Sequence, residues 1–448
     1  MRAVSDILQN DVWRGLPCFI VGGGPSLKGF DWSILEGQPV IAINRALEFC
    51  NPSILLSMDS QVYRWFIEGD YGEQVKHKFE HMLGRKLWVH NAPLPYEEKD
   101  KELIRVPNLG KPRDRGDFVE NVINWDFRKG IVAGGNSGYC AVQLALSLGA
   151  DPIVLLGFDM RGDGVRQTHF HSGHPRGAQK EDVYKGFLNS FRILRKYFDN
   201  EYTKETQPSI IVAGQESALE YFPRVGMGMI PYLRNVNHKI RMITLATPNS
   251  GYMELAENLA RSAKIFGYDC TIYAMDDIPR SWNAALRYRA RFIRQVLNTL
   301  AENEVLLWVD SDCTFLKNPY YFTEFTESVE LDAAFTWCDW TQFPETAGSR
   351  RCWNELCAGV MLFRNRANVR ALLDMWADWM EKEPNLKKLD QRYLQALLEE
   401  GAIEELGLKL GQIPLSHNQI FDSMTSNGDP IIEHRPASRR LKEFGIAR

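Results

Sequence analysis

Short apolar strands alternate with helices along the chain, and this alternation starts twice. The first series has strand candidates at 18–21, 40–43, 54–57, 86–90 and 153–156, and a helix at 137–148. The second has strand candidates at 240–246, 270–274, 305–309, 333–337 and 358–363, and helices at 252–266, 282–302 and 369–381. Because this alternation is typical of parallel α/β sheets, we predict an α/β fold with two tandem Rossmann-like domains.

A stretch that contains glycine and proline separates the two series. Gly226 and Pro231 lie in it, and such residues commonly mark loops. We therefore place a linker at residues 222–238 and predict domains at 1–230 and 231–448. A chain of 448 residues has ample length for two hydrophobic cores.

Composition excludes several classes of protein. Hydrophobic residues make up 44% and charged residues 25%, as in ordinary globular domains, so the chain is neither disordered nor collagen-like. The longest apolar runs, such as 305–309, are far shorter than the roughly 20 residues that cross a bilayer. Residues 1–10 lack the basic and apolar regions of a secretory signal. We therefore predict a cytoplasmic protein without a membrane span.

Cysteine spacing and charge argue against further classes of protein. The eight cysteines include no C-x-x-C pair, which argues against a zinc ribbon or redox motif and predicts reduced, mostly buried thiols. The net charge of -4 argues against a uniformly basic surface that binds nucleic acid. The charge is uneven, because residues 301–350 contain two basic and ten acidic residues. Such an acidic block is suited to a cation.

Two aspartates directly follow the strand candidate at 305–309. Asp310 and Asp312 stand at positions i and i+2, which point to the same side of an extended chain. Ligands of open α/β sheets bind beyond the carboxyl ends of strands, where two carboxylates suit Mg²⁺ or Mn²⁺. Such an ion neutralises the charge of a departing diphosphate. The alternative is an Asp-Ser-Asp sequence that only caps a turn.

Several further motifs follow this D-x-D in a characteristic order. They are Asn318 with Pro319, a strand that reads AGVMLFRN and begins at Ala358 and Gly359, the sequence Leu389, Asp390, Gln391, and a late histidine, His417 or His434. On these motifs, residues 240–434 resemble the GT-A glycosyltransferases, which are nucleotide-diphospho-sugar transferases. The resemblance covers most of the second predicted domain and implies a GT-A fold, in which Gly359 lets the backbone approach the sugar.

The resemblance also implies a role for each of these side chains. Asp312 would be the main metal ligand, Asp310 would contact the ribose or the metal, and His434 would supply a third ligand. Asp390 and Gln391 would face the donor sugar or the acceptor. The implied cofactor is Mn²⁺ or Mg²⁺, and the implied donor is a UDP-sugar that carries a hexosyl group. Among the GT-A enzymes, the sequence is most similar to retaining members.

Basic and aromatic residues lie on either side of this motif. The helix candidate at 282–302 carries Arg287, Arg291 and Arg294 on one face, at i, i+4 and i+7. One interpretation is that one of them binds the donor diphosphate, and the other is a solvated basic face. Residues 337–353 are rich in aromatic and polar side chains, and their number is sufficient for a mobile loop over the acceptor site.

The first predicted domain opens with a glycine turn. Residues 22–26 follow the strand at 18–21 and read GGGPS, and glycines let backbone N–H groups approach an anion. The G-x-G-x-x-G pattern is absent because Leu27 stands at the last glycine position. The P-loop pattern is absent because Phe30 stands where lysine is required. Two interpretations of residues 22–26 therefore remain, a phosphate-binding turn and a plain tight turn.

The motifs of this domain occur in the order GGGPSL, AIN, SMD, GNSG and LLGFDM. In this order residues 15–200 resemble the bacterial lipooligosaccharide sialyltransferases and the motility-associated flagellin glycosyltransferases. The same superfamily includes proteins similar to an archaeal 6-hydroxymethylpterin pyrophosphokinase. The resemblance implies a pocket for a nucleotide or nucleotide sugar, such as a CMP-sugar, bordered by Gly22, Gly23, Gly24, Ser26, Asn44, Asp59, Asn136, Ser137, Gly138 and Asp159.

Three histidines, His169, His171 and His174, follow the last of these strands. In the sialyltransferases a histidine in this region serves as base, so the resemblance implies a catalytic base here, with His174 as our candidate. The H-x-H-x-x-H spacing also matches a metal site, although no fourth ligand is evident. A cluster of surface-loop histidines is the plain alternative.

These features lead to one main hypothesis, a two-domain glycosyltransferase that uses a nucleotide-sugar donor. In this hypothesis the first domain has three possible roles: it is another transferase, it binds the acceptor, or it contains a degenerate pocket. The acceptor is a surface glycan or protein, or alternatively a hydroxylated base of phage-type DNA, for which the tail offers a linear basic cluster of Arg435, Arg439, Arg440, Lys442 and Arg448. Two further alternatives are an ATP-dependent, pterin-type pyrophosphokinase in the first domain and two domains that only bind sugar nucleotides.

Overall fold

The structure of the chain is a computed structural model. It describes residues 8, 10–161, 182–203, 206–234, 240–248, 251–274, 282–343, 354–382 and 390–436. The chain divides into two compact units, Met1–Asn235 with Lys264–Gly267, and Val236–Ala263 with Tyr268–Arg448.

The first unit is built on an eight-stranded sheet. Its strands are β1 (Cys18–Val21), β2 (Val40–Ile43), β3 (Ile54–Ser57), β4 (Arg85–Val89), β5 (Leu103–Val106), β6 (Arg113–Asp114), β7 (Val119–Glu120), β8 (Ile153–Leu156), β9 (Ile210–Ala213) and β10 (Arg224–Val225). Its helices are α1 (Ser60–Glu68), α2 (Glu73–Glu80), α3 (Ser137–Ser147) and α4 (Asp182–Glu201). The sheet order is β10-β9-β8-β1-β2-β3-β4-β5, and β6 and β7 form a separate hairpin.

All strand pairs of the eight-stranded sheet are parallel. Strands β1, β2, β3, β4 and β8 are buried along their full length, as expected for a parallel sheet covered on both faces. After β1 the chain adds β2 to β5 on one side, and then returns to place β8 on the other. The carboxyl ends of β1 and β8 therefore flank a point where the strand order reverses, the usual place for a ligand in such sheets.

The second unit contains a six-stranded sheet and a small three-stranded one. Its strands are β11 (Ile240–Ala246), β12 (Cys270–Ala274), β13 (Val305–Val309), β14 (Cys313–Phe315), β15 (Ala333–Asp339), β16 (Asn354–Arg364), β17 (Leu410–Gln412), β18 (Gln419–Ile420) and β19 (Ile432–His434). Its helices are α5 (Gly251–Ile265), α6 (Trp282–Leu297), α7 (Tyr320–Glu327), α8 (Ala367–Lys382), α9 (Asp390–Leu397) and α10 (Ile403–Leu406). The sheet orders are β12-β11-β13-β16-β15-β17 and β14-β19-β18.

The six-stranded sheet is mixed, whereas the alternating pattern alone predicts a parallel one. Strand β16 runs antiparallel to both β13 and β15, and the other pairs are parallel. Helices α6 and α8 cover the sheet with an apolar layer that includes Ile293, Leu297, Leu372 and Trp376. This packing buries the strands that lead to the aspartates at residues 310 and 312.

The predicted α/β class and the two sheets are confirmed, with several local differences. The sequence pattern does not predict nine of the strands, which are β5, β6, β7, β9, β10, β14, β17, β18 and β19. Helix α6 ends at Leu297 instead of residue 302, since turns follow it, in which Thr299 N–H donates to Val296 O and Leu300 N–H donates to Leu297 O. The segment predicted as a linker contains β10 and a 3₁₀ helix, Met227–Leu233. The seven described cysteines are buried and form no disulfide with one another, as predicted.

Among the described residues, no helix combines the length and the apolar character that crossing a bilayer requires.

Candidate functional site

The aspartates of the D-x-D lie directly beyond the buried strand β13. The Asp310 backbone N–H donates to Gly359 O at 2.8 Å, so the end of β13 is held against β16. The Trp308 indole Nε1–H donates to Asp310 Oδ1 at 2.9 Å. The Cys313 N–H donates to Asp310 O at 3.0 Å and closes the turn into β14. The backbone thus fixes both carboxylates at the carboxyl edge of the sheet.

His434 reaches these carboxylates through the small sheet. Strand β19 pairs antiparallel with β14, and this register sets His434 opposite Cys313. His434 Nε2 then lies 3.2 Å from Asp312 Oδ1 and 3.8 Å from Asp310 Oδ2. All three side chains are largely buried, with 11–17% of their side-chain surfaces exposed.

The electrostatics of His434 reflect its two carboxylate neighbours. Burial lowers the pKa of its imidazole, but the hydrogen bond to Asp312 and the charges of Asp312 and Asp310 outweigh burial and raise the pKa above its ordinary value. A cation at this position is therefore favoured by the site.

The three side chains fit a divalent metal ion. Two ligands of one Mg²⁺ ion, each about 2.1 Å from it, lie no more than about 4 Å apart. The separations of 3.2 and 3.8 Å between His434 and the aspartates satisfy this limit. The Cys313 thiol lies near two of these side chains, since the candidate ligand atoms of Asp312, Cys313 and His434 are within 4.8 Å of one another. Burial raises the pKa of Cys313 well above the usual range, so its thiol stays protonated and is a poor ligand.

Arg289 joins the D-x-D to the start of α9. Its Nη2 lies 3.4 Å from Asp310 Oδ1, and its Nε lies 3.1 Å from Asp390 Oδ2. Its guanidinium also lies over the Trp308 ring, 5.4 Å from the centroid. Burial lowers the pKa of Arg289, but Asp310, Asp390 and Asp312 outweigh it and raise the pKa. One buried cation is thus shared between two carboxylates.

The sequence interpretation chose other arginines of this helix. Arg291 pairs with Glu381, and Arg294 pairs with Asp374, both of which lie on α8. The missed residue, Arg289, occupies the apolar face of α6, between Leu286 and Ile293 at i−3 and i+4. A charged residue within an apolar helical stripe was the available signal.

Asp390 and Gln391 lie beside this cluster. Burial raises the pKa of Asp390, while Arg289 opposes that shift. Gln391 Nε2 donates to Glu355 Oε1 at 2.9 Å, and its Oε1 accepts from Ala358 N–H at 3.4 Å. The structure therefore brings Gln391 of the predicted D-Q pair to β16, while Asp390 pairs with Arg289 on α6.

Gly359 is next to the imidazole. A Cβ atom at this position would lie 2.6 Å from His434 Nδ1 and 2.7 Å from Asn418 Oδ1, closer than real Cβ contacts occur. The Asn418 side chain is held from its other end, because Nδ2 donates to Cys357 O at 3.1 Å. The absence of a side chain at residue 359 therefore makes room for the histidine at the aspartates.

The other candidate histidine, His417, lies elsewhere. Its ring is fully buried among Tyr320, Tyr321 and Phe322, with centroid separations of 4.8, 6.2 and 5.6 Å. Burial lowers the pKa of His417 to about 4. It is a neutral core residue, and His434 is the histidine that meets the D-x-D.

In the first unit, predicted pocket residues surround the point where the strand order reverses. Asp159 Oδ2 accepts from Ser26 Oγ at 3.0 Å and from Ser26 N–H at 3.2 Å. A Cβ atom on Gly24 would lie 1.8 Å from Asp159 Oδ2, and one on Gly22 would lie 2.8 Å from Gly157 O. Burial raises the pKa of Asp159, although both hydrogen bonds from Ser26 oppose the shift. These glycines let the turn after β1 lie against the turn after β8, and Gly23 lies between them in the same turn.

The remaining residues predicted for this pocket have local structural partners. Asp59 and Asn136 are the N-caps of α1 and α3, accepting from Gln61 N–H at 2.8 Å and Tyr139 N–H at 2.7 Å. Asn44 Oδ1 accepts from Ser57 Oγ at 2.7 Å, and Ser137 Oγ accepts from Met58 N–H at 3.3 Å. A Cβ atom on Gly138 would lie 2.8 Å from Phe158 Cε1. These contacts account for the residue types by packing and capping, and a ligand role stays a prediction.

Several predicted features lie outside the described residues. They are the histidines at 169, 171 and 174, Leu389, residues 344–353 of the predicted loop, and the basic tail from residue 437 onward.

Part of the second unit matches a known protein family. Residues 280–437 match the family model of the nucleotide-diphospho-sugar transferases. The match supports a glycosyltransferase with a nucleotide-sugar donor and an acceptor, so the resemblance of this part of the chain is confirmed at that level. The resemblance of residues 15–200 to sialyltransferases stays a prediction. No curated protein matches the chain.

Solved structures with similar folds include three glycosyltransferases. One, involved in the glycosylation of the major capsid of PBCV-1, is 16% identical, and the alignment covers 47% of this chain and 99% of that one with a TM-score of 0.34. Mouse xyloside xylosyltransferase 1 is 12% identical, with 44% and 98% covered and a TM-score of 0.29. The galactosyltransferase LgtC, solved with donor and acceptor sugar analogues, is 12% identical, with 45% and 94% covered and a TM-score of 0.30.

Proposed function

We propose that the second unit transfers a hexosyl group from a nucleoside-diphosphate sugar, with UDP-sugar as the first candidate, to an acceptor. Asp310, Asp312 and His434 hold a divalent ion, Mn²⁺ or Mg²⁺. The observation that carries the proposal is the 3.2 Å approach of His434 Nε2 to Asp312 Oδ1 at the end of β13, within the residues that match the family model. When bound, the ion holds the donor diphosphate and neutralises its charge.

The protein residues supply positioning and charge. Arg289 is a fixed, buried cation between Asp310 and Asp390, and it stabilises the two carboxylates next to each other. Asp390 and Gln391 begin α9 beside the small residues Ala358 and Gly359. Because small residues let a ligand approach the backbone closely, the donor sugar binds next to this strand and α9 supplies its polar contacts.

The test is nucleotide release from UDP-, GDP-, dTDP-, ADP- and CMP-sugars, with Mn²⁺ or with EDTA. It compares the wild type, Asp312→Asn and the control Asp429→Asn, whose carboxylate is 87% exposed and pairs with Lys317. We expect release with one donor that needs both the metal and Asp312 and that is unchanged in Asp429→Asn. Full activity of Asp312→Asn with an unchanged melting temperature would contradict the proposal.

A second candidate function concerns the first unit. The Ser26 and Asp159 contacts lie at the carboxyl ends of β1 and β8, where the strand order reverses, and this observation favours a second nucleotide site. Release of CMP from a CMP-sugar that survives EDTA and Asp312→Asn would support a second transferase with His174 as base. Formation of AMP from ATP in the presence of a pterin would support the pyrophosphokinase alternative instead.

The acceptor proposal is a surface glycan or protein. Transfer to hydroxymethylated DNA that falls steeply with added salt would favour the viral-DNA alternative, since phosphate contacts release counterions.

A further inference from the structure

Glu355 is a buried carboxylate near the start of strand β16. Its strand, β16, is buried along nearly its whole length, and Glu355 itself is 7% exposed. Three side chains donate to it. Trp340 Nε1–H donates to Oε2 at 2.6 Å, while Gln391 Nε2 and Arg392 Nη2 both approach Oε1 at 2.9 Å.

All three partners are N–H groups, so Glu355 acts purely as an acceptor. A carboxylate without a proton cannot donate, and it therefore selects which end of a neighbouring amide faces it. The Gln391 amide must turn its Nε2 toward Glu355. Its carbonyl Oε1 then lies on the opposite side, where it accepts from Ala358 N–H at the long distance of 3.4 Å.

This second side of the amide faces the strand next to the D-x-D. Ala358 precedes Gly359, whose carbonyl oxygen accepts from Asp310 N–H at 2.8 Å. Asp390, the neighbour of Gln391, is joined to Asp310 through Arg289. The weakly engaged Oε1 is thus the polar atom that Gln391 offers at this edge of the sheet.

We propose that Glu355 is a positioning residue that fixes the Gln391 amide with its carbonyl oxygen, and not its NH₂ group, toward the donor sugar. The inference rests on the proposed function of the second unit. Glu355 does not itself contact the sugar. It acts through Gln391, and its second oxygen ties Trp340 into the same arrangement.

The decisive variant is Glu355→Gln, which preserves size but can either donate or accept. The Gln391 amide then loses its fixed orientation and spends part of the time with NH₂ toward the sugar. We expect kcat for sugar transfer to fall roughly 10- to 100-fold, because misplaced contact groups cost about that much, with KM for the donor within about twofold.

The matched control is Asp332→Asn. Asp332 is also buried and also binds an arginine, Arg366 at 2.9 Å, but it precedes β15 at the end of the sheet away from Asp310. We expect Asp332→Asn to lower the melting temperature without changing kcat. A kcat loss in both variants that follows the loss of stability would overturn the positioning role.

A double variant tests the orientation itself. In Glu355→Gln with Gln391→Glu, the new amide donates to one oxygen of the new carboxylate and leaves the other oxygen toward the sugar. We expect this pair to recover part of the kcat lost in Glu355→Gln. Gln391→Glu alone should be less active than the pair, because it sets two carboxylates against each other.

Failure of the inference and of the proposed function give different results. A wild-type protein that releases no nucleotide from any donor overturns the proposed function and this inference with it. An active, metal-dependent wild type whose kcat is unchanged in Glu355→Gln, or in Gln391→Ala, overturns the inference alone.

Discussion

Arg289 Nε lies 3.1 Å from Asp390 Oδ2, and this buried ion pair connects α6 with the first residue of α9. The other end of the same guanidinium reaches Asp310 at 3.4 Å. Removing one partner of a buried ion pair leaves an uncompensated charge, which is far more costly than the net value of the pair. Loss of the Arg289 cation should therefore destabilise the fold more than loss of an exposed ion pair would.

We expect Arg289→Met to lower the free energy of unfolding by about 3–5 kcal/mol, because the buried Asp390 carboxylate then loses the guanidinium that compensates its charge. Urea unfolding monitored by circular dichroism measures this change. The control Arg291→Met removes an exposed pair with Glu381 and should cost less than about 1 kcal/mol. Equal stability of the two variants would show that Arg289 does not compensate the buried carboxylates.

Gly359→Ala tests the room that the strand leaves for His434. The new methyl group would lie 2.6 Å from His434 Nδ1, so the imidazole must move away from Asp312. We expect Mn²⁺ binding, measured by electron paramagnetic resonance titration, to weaken about tenfold or more. Gly251→Ala is the control, since a Cβ atom there meets nothing within 4 Å. Unchanged affinity in Gly359→Ala would argue against His434 as a ligand.

Much of the second unit could be predicted because its signals are local. Strand β13 and the two aspartates that follow it are continuous in sequence, so their placement at the sheet edge needs no knowledge of distant contacts. The choice between His417 and His434 could not be made in this way. It depends on the β14–β19 register, which sets His434 opposite Cys313, while His417 packs among three aromatic rings.

The missed residues share one property. Arg289 and Glu355 are charged side chains on apolar faces, and each is satisfied by partners distant in sequence. The periodicity of the sequence shows that a charged residue stands at an apolar position. It does not identify the residue that pairs with it, because that pairing depends on how α6, α9 and β16 pack together. In the first unit, the resemblance implies only a pocket role for Asp59 and Asn136, and the structure shows that both are also N-caps of helices.

The neutral His417 ring predicts a pH-dependent stability. Its pKa is lowered by burial from 6.5 to about 4. The unfolded chain therefore binds a proton at a higher pH than the native state, and the stability present above pH 6.5 is lost as the pH falls toward 4. The loss is on the order of 3 kcal/mol, at 1.36 kcal/mol per pKa unit. Denaturant unfolding between pH 7 and 4 should show this loss in the wild type and a smaller one in His417→Phe.

For Asp159 in the first unit, we predict a change of stability with pH that is opposite in sign to that of His417. Burial raises its pKa, so the native state binds a proton more tightly than the unfolded chain, and this carboxyl favours folding more as the pH falls through the raised pKa. Asp159→Asn removes the buried charge but keeps an oxygen that accepts from Ser26. We expect the variant to be at least as stable as the wild type at pH 7, with the difference decreasing at lower pH.

A double-mutant cycle separates the charge of Asp159 from its hydrogen bonds. Ser26→Ala removes the hydroxyl that donates to Asp159 Oδ2 at 3.0 Å, and a hydrogen bond to a charged group contributes about 1.5–3 kcal/mol. We expect Ser26→Ala to lower the free energy of unfolding by about this amount at pH 7 in the wild type, and by much less in Asp159→Asn. Equal losses in both backgrounds would mean that Ser26 does not stabilise a carboxylate. In that case the carboxylate would have to be stabilised by another group at the carboxyl ends of β1 and β8.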